Sequence, residues 1–264
     1  MLDKSNRERM TPEEFRQMVR QGKWKDPTSG VCSGYAQANL AIVPQEVAFE
    51  FLLFCFRNSQ PCPVIDVTEP GDPCPRGVAP GADLRTDLPR YRVFIEGELV
   101  DEPTDIRKYW RDDLVGFLIG CSYSFEWALK AASIQFRLMG AFTSSLSCFS
   151  VGRFQGPMAV TVRLFKGTAD AVRAIQISSR MPAVHGAPVH IGDTKSIGIS
   201  DLCQADLFPH PGISPQTPEE VPVVWGCGIT PQLVALKAKL PLMITHFGGH
   251  MFVTDKPVDA LAVV

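Results

Sequence analysis

The chain predicts a mixed α and β protein, of the α/β or α+β class. Two observations carry this. Short apolar runs bounded by proline and glycine, with the character of strands, alternate with segments bearing helix start and stop signals. And 264 residues, 45% hydrophobic and 20% charged, supply an ample core for one large unit or two intimate ones.

TPEEFRQMVRQG (11–22) is a helix: Thr11 caps, Pro12 fits the first turn, Glu14 completes a capping box and Gly22 ends it. Phe15, Met18 and Val19 then share one face. KWKDPTSGVCSGYAQANL (23–40), dense in small and polar residues, reads as turns. A second helix starts near Pro44 and runs through QEVAFEFLLFCFRN, apolar nearly all round and so mostly buried. CPVIDV (62–67) reads as a buried strand. The segment 68–90 holds five prolines and three glycines and is loop, of a length that usually marks function. YRVFIEGELV (91–100) is a hairpin turning at Glu96–Gly97. DDLVGFLIGCS (112–122) is an apolar run before a helix, SFEWALKAAS, that Ser124 can cap. PMAVTVRLF (157–165) alternates as a strand does and precedes the helix GTADAVRAIQISSR. VPVVWG (221–226) is a strand, CGIT a tight turn, and TPQLVALKAK (230–239) a helix capped by Thr230 with Pro231 first. LMITH (242–246) is a further strand.

The formal charge is −2 and no basic run occurs, so nucleic acid is not an expected partner. The longest apolar run, VAFEFLLFCF, is too short to span a bilayer, and MLDKSNRERM lacks a signal core, so a soluble cytoplasmic protein is expected. None of the eight cysteines has CxxC spacing. Free thiols are the default in such a compartment.

Four of five histidines sit in two Gly-containing stretches, MPAVHGAPVHIGD (181–193) and THFGGHMFVTD (245–255). His185 and His190 are five apart, aligned on neither strand nor helix. His246 and His250 have helical spacing, but Gly248 and Gly249 argue against a helix. Neither pair has HExxH geometry, yet loops can assemble a metal site. Imidazole also suits proton transfer near neutral pH. Loop histidines bonded to carbonyls are the bland alternative. WGCGITPQ (225–232) and GCSYSF (120–125) are each a small-residue turn into a helix, suited to a carboxylate or phosphate, with capping as the plain reading. GxxxxGK[ST] is absent. Cys227 and Cys32 lie in turns and offer candidate nucleophiles, against the commoner structural thiol. Arg153 and Arg180 flank elements in polar surroundings and can clamp a carboxylate, or simply be solvated.

Several long strings resemble one family, the D-glutamate cyclases or hydro-lyases: SGYAQANLAIVP, FCFRNSQPCPVIDVTEPGDP, WRDDLVGFLIGCSYSFEWAL, GRFQGPMAVTVR, QISSRMPAVHGAPVHIGD, VPVVWGCGITPQ and ITHFGGHMFVTD. They span nearly the whole chain. The resemblance implies one catalytic unit over 1–264 built as two interlocked subdomains, α/β with an α+β subdomain inserted within about 90–180. It implies loss of water from a small amino- or hydroxy-carboxylate, with D-glutamate closing to 5-oxo-D-proline as the leading reaction and no cofactor. The chain departs from the family between Ile134 and Val151. There an Asn-Val-x-Met-Tyr-x-Thr-Asn-like string gives way to LMGAFTSSLSCFS, with Phe142 for Tyr and Ser145 for Asn.

Cyclisation requires a curled substrate, a base for the ammonium and neutralisation of the departing carboxylate oxygen. His246 or His250 and His185 or His190 are the candidates for base and acid. Arg153 or Arg180 would hold the α-carboxylate. The turns bearing Ser122, Ser124, Gly228 and Thr230 would supply donors, and Tyr35, Gln37, Asn39 and Asp255 further polar contacts. Two other classes stay open: a metal-dependent hydrolase or lyase using the four histidines and Asp255, and a non-catalytic binder of small carboxylates. A homo-oligomer is the default for a soluble enzyme.

Overall fold

In the computed structural model, which describes residues 4–209 and 212–263, the Thr11 capping box forms as read. Helices α1 (Lys4–Arg9) and α2 (Pro12–Arg20) lead into β1 (Tyr35–Pro44), then α3 (Gln45–Arg57), β2 (Val64–Val67), β3 (Tyr91–Ile95), β4 (Glu98–Asp101) and β5 (Leu114–Gly120). After α4 (Tyr123–Ala131) come β6 (Phe136–Ser147), β7 (Pro157–Lys166), α5 (Thr168–Ser179), β8 (His190–Ile191), β9 (Phe208–Pro209) and β10 (Glu220–Gly226). The chain closes with α6 (Thr230–Lys237), β11 (Met243–His246) and β12 (Phe252–Pro257).

The strands form two sheets, and every ladder among the described residues is antiparallel. The first has seven strands in the order β2-β5-β1-β11-β3-β4, with β12 also on β1; the second runs β8-β10-β7-β6-β9. The second sheet therefore draws only on residues 136–226, while the first takes strands from both sides of that stretch.

Strand β1 overturns the turn reading of 35–40. Alternation explains it: Ala38, Leu40 and Ile42 face one core cluster, and Ala41 and Val43 face another. Against the Ala41 face pack α3, through Val47, Phe51 and Phe54, and α6, through Val234 and Ala235. The opposite face is covered by the proline-rich loop 68–90, which inserts Val78, Ala79, Leu84 and Leu88. The loop thus supplies core where an element would otherwise sit, and its buried Asp87 is paired with Arg20.

Helix α3 is less buried than its composition suggested. Phe49 and Phe56 stand 77% and 78% exposed, because only one face meets the sheet. Strand β2 is an edge strand, half-buried rather than buried. The hairpin turns where read, with Glu96 and Gly97 both at positive φ. Strand β6, unforeseen, is interrupted by register shifts around Gly140 and after Thr143. Ser124 and Thr230 are not caps: each lies within the first turn of its helix, with Ser122 and Ile229 at the cap positions. All eight cysteines are free. No helix among the described residues is long and apolar enough to cross a membrane.

Candidate active site

The centre of the site is a gap in a ladder. On one edge of β1, β12 pairs with Tyr35, Gln37 and Ala38, and β11 pairs with Ala41 and Ile42. Leu40 lies between, with its N–H and C=O on that edge and no strand to meet them. Side chains do so instead. The Leu40 N–H donates to His246 Nδ1 at 3.1 Å, and the Leu40 carbonyl accepts from Gln232 Nε2 at 3.1 Å. Gln232 Nε2 also lies 2.8 Å from His246 Nδ1. The ring at the end of β11 is thereby held in the gap, where it lines a small cavity of about 40 Å³ between the two sheets.

His185 reaches the same cavity from the turn after Pro182–Val184, with φ 84°, a left-handed conformation uncommon for a residue with a side chain. Its Nδ1 lies 2.8 Å from the Gln60 carbonyl. The turn sits tight against β5: a Cβ on Gly120 would fall on the Ala183 carbonyl. Both rings are buried, 1% exposed for His185 and 2% for His246. Burial pushes each imidazole pKa down to about 4, which at His185 the backbone of Gln60 and Gly120 offsets in part.

Arg163 supplies the charge. It projects from the middle of β7 and is fully buried against Glu126, with Nη2 at 2.6 Å from Oε1 and Nε at 3.1 Å. Nη2 also donates to Ser122 Oγ at 2.9 Å, and Nη1 to Thr161 Oγ1 at 3.1 Å. Four of the five guanidinium N–H groups are so engaged, and Arg163 lines the cavity. Its guanidinium carbon lies over the Phe125 ring, 4.8 Å from the ring centre.

Two helix starts complete the wall. Strand β5 ends in Gly120-Cys121-Ser122 before α4, and β10 in Gly226-Cys227-Gly228 before α6. Cys121, Ser122, Cys227 and Gly228 all line the cavity. Both positive helix ends therefore face one space. Burial raises the Cys121 thiol to about 12 and Cys227 to about 11, with the N–H groups of Tyr123 and Ile229 opposing it. Neither is a thiolate, and Cys32 is likewise raised to about 12 by burial. A Cβ on Gly228 would overlap Asn39 Nδ2, so a larger residue there would displace the Asn39 side chain. Asn39 also lines the cavity and donates to the Gly120 carbonyl at 3.1 Å.

Of the residues singled out from the sequence, His185, His246, Asn39, Ser122 and Gly228 are thus brought together. The others lie elsewhere. His190, on β8, faces the Asp193 carbonyl at 2.9 Å. His250 holds the carbonyls of Gly248 and Lys25, at 2.8 and 3.1 Å, a clamp between two loops. Gln37 binds Thr28 through both ends of its amide, and Ser124 Oγ accepts from the Gln37 N–H at 3.0 Å. Thr230 Oγ1 accepts from the Ala159 N–H at 3.0 Å and joins α6 to β7. Tyr35 packs with the α2 cluster, and Asp255 pairs with Arg16 at 2.9 Å. Arg153 pairs with Glu50 on the surface, and exposed Arg180 reaches the Val263 carbonyl. The set of four histidines with Asp255 is not assembled, and among the described residues no three His, Cys, Asp or Glu side chains form a metal-ligand group. Of the divergent 138–150 segment, Leu138, Gly140 and Ala141 touch the cavity. Phe142 is packed in the core behind β7, and Ser145 is exposed.

Arg163 was missed from sequence. The available signal was a lone charge inside a strand that is otherwise buried on both faces.

A sequence profile described as D-glutamate cyclase matches residues 115–255. That stretch contains every cavity residue named above except Asn39. The chain is 51% identical over 263 residues to a protein named "Putative hydro-lyase" from Geobacillus kaustophilus, covering 97% of this chain and 98% of the other. It is 49% identical to a protein of the same name from Stutzerimonas stutzeri, with 97% of each covered, and 48% identical to one from Bacillus subtilis, covering 97% and 100%. The chain belongs to the D-glutamate cyclase family.

Proposed function

We propose that the protein is a hydro-lyase that closes D-glutamate to 5-oxo-D-proline, with the cavity between the two sheets as its active site. The observation that carries this reading is the meeting of His185 and His246 with Arg163 and two helix N-termini around one small cavity. Glutamate brings two carboxylates and an ammonium. Arg163 and the positive ends of α4 and α6 suit carboxylates, and a neutral buried imidazole suits the removal of a proton from the ammonium. Ring closure joins nitrogen to the γ-carbon and expels one carboxylate oxygen. The two protons lost by the ammonium leave with that oxygen as water, so the balance needs no oxidant and no second substrate.

At about 40 Å³ the cavity holds a few waters and no amino acid, so it must widen to admit one. An open groove of about 740 Å³ shares the lining residues Tyr123, Leu138 and Phe208 with it. The groove is the route by which substrate enters.

Proton NMR of the protein with D-glutamate tests this, against L-glutamate and an enzyme-free control. Accumulation of 5-oxoproline from the D-form, lost in Arg163→Met, is the expected result. No product above the control at any pH between 6 and 9 would remove glutamate cyclisation from this protein.

A further inference from the structure

The two cavity histidines are held in opposite tautomers, and this assigns them different work. A carbonyl oxygen can only accept, so the 2.8 Å contact with Gln60 requires a proton on His185 Nδ1. Nε2 of His185 then carries the lone pair. At His246 the logic reverses. The Leu40 N–H is fixed in the backbone of β1 and donates to Nδ1. The Gln232 amide is oriented by its bond to the Leu40 carbonyl, so its Nε2 can only donate to the same nitrogen. Nδ1 of His246 is therefore the lone pair and Nε2 carries the proton.

We infer that His185 Nε2 is the sole proton carrier of the reaction, and that His246 is a permanently neutral hydrogen-bond donor to the oxygen that develops charge. This rests on the cyclisation reading for its substrate. To act as an acid, His246 would have to give up its Nε2 proton and become an anion, or first take a proton on Nδ1 and displace an N–H that cannot rotate. His185 has neither restriction: its Nδ1–H stays on the Gln60 carbonyl, and the Gly120 backbone beside the ring also favours the protonated form that Nε2 passes through. It accepts one ammonium proton on Nε2 as the nitrogen attacks the γ-carbon. It returns that proton to the departing oxygen as the C–O bond breaks. The second nitrogen proton passes the same way when the amide forms, so the ring ends neutral. Throughout, the His246 Nε2–H stabilises the tetrahedral oxyanion and transfers nothing. Gln232 is the positioning residue that keeps it so.

Two measurements on the whole protein decide this. The first is long-range proton–nitrogen correlation NMR of protein labelled with ¹⁵N-histidine, without substrate. It should show His185 as the Nδ1–H form and His246 as the Nε2–H form at pH 7. Gln232→Glu, which sets a carboxylate beside Nδ1, should move His246 toward the imidazolium, whereas Gln232→Met should leave it neutral. A His246 already protonated on Nδ1 in the wild type overturns the inference. The second is turnover of D-glutamate. His185→Gln should lose about 10²–10⁴-fold, the range for removing a general base. His246→Gln, whose amide restores an N–H near the Nε2 position, should retain activity within about 10²-fold, with KM little changed. Equal losses in the two variants overturn the inference. Correct tautomers with no turnover by the wild type would overturn the cyclisation reading and leave the tautomer assignment standing.

Discussion

Lowering the pH from 7.5 to 5 should destabilise this protein through two residues. His185 and His246 each have a pKa near 6.5 in the unfolded chain and about 4 in the fold. Their neutral form is favoured by folding, so their contribution is fully present above pH 6.5 and is lost as pH falls towards 4. At pH 5 the unfolded chain binds nearly one more proton at each ring than the folded one does. Linkage then gives a loss of about 2 kcal/mol per histidine between pH 7.5 and 5, and about 3 kcal/mol by pH 4. The sum, about 4 kcal/mol at pH 5, is a large share of the ~5–15 kcal/mol of a typical domain. Carboxylates do not confuse this window. Glu220, held at about 2 chiefly by Arg137, contributes stability that is lost only below the ordinary carboxylate range near 4.5. Urea midpoints at a series of pH values measure the effect, and His185→Gln/His246→Gln provides the control. The wild type should lose about 4 kcal/mol, and the double variant should be nearly flat. A wild type unchanged between pH 7.5 and 5, or a double variant with the wild-type slope, would show that these rings are not buried neutral.

Two further outcomes follow from the same packing. Arg163→Met leaves the Glu126 carboxylate buried without its partner and should cost about 3–5 kcal/mol, much of it recovered in Arg163→Met/Glu126→Leu; Arg153→Ala, which opens a surface pair, should cost under about 1 kcal/mol, all read by urea denaturation. Gly120→Ala should force the turn carrying His185 away from β5, destabilising the protein by about 1–3 kcal/mol and lowering turnover by about 10²-fold, as compared in one assay with wild type.

How far the sequence reached depends on whether a residue's partner is local. The hairpin at Glu96–Gly97 and the capping box at Thr11 are complete within a few residues, and both were legible. Strand β1 was not, because Gln37 and Asn39 look like turn residues until β12, β5 and the 28–31 loop are present to satisfy them. Strand β6 hides behind Gly140 and its irregular register. For the site, the unusual strings HGAP and THFGGH located His185 and His246 but not which of their neighbours to discard. His190 and His250 have the same composition around them, and only tertiary contacts show their rings turned to loop carbonyls. Arg163 required the converse inference, that a charge in a two-sided buried strand has a buried counter-ion, here Glu126 one turn into α4.

The same geometry bears on why His246 and Arg163 of the proposed site are carried on strands, with His185 on a turn packed tightly against β5. A reaction that releases water runs best where water is scarce, which favours a small buried site such as the one proposed. Burial makes every polar atom expensive unless it is bonded, and no buried side-chain nitrogen or oxygen among the described residues lacks a partner. Loops satisfy such atoms with mobile water. Here the bonds come from the backbone of β1, from the Gln60 carbonyl and from the Glu126 carboxylate. Those partners do not rotate away, so the bonds that make burial tolerable also fix each ring's tautomer and the direction of the guanidinium. Under the proposed reading, the hydrogen bonds that satisfy these buried groups are the same ones that would orient them for catalysis.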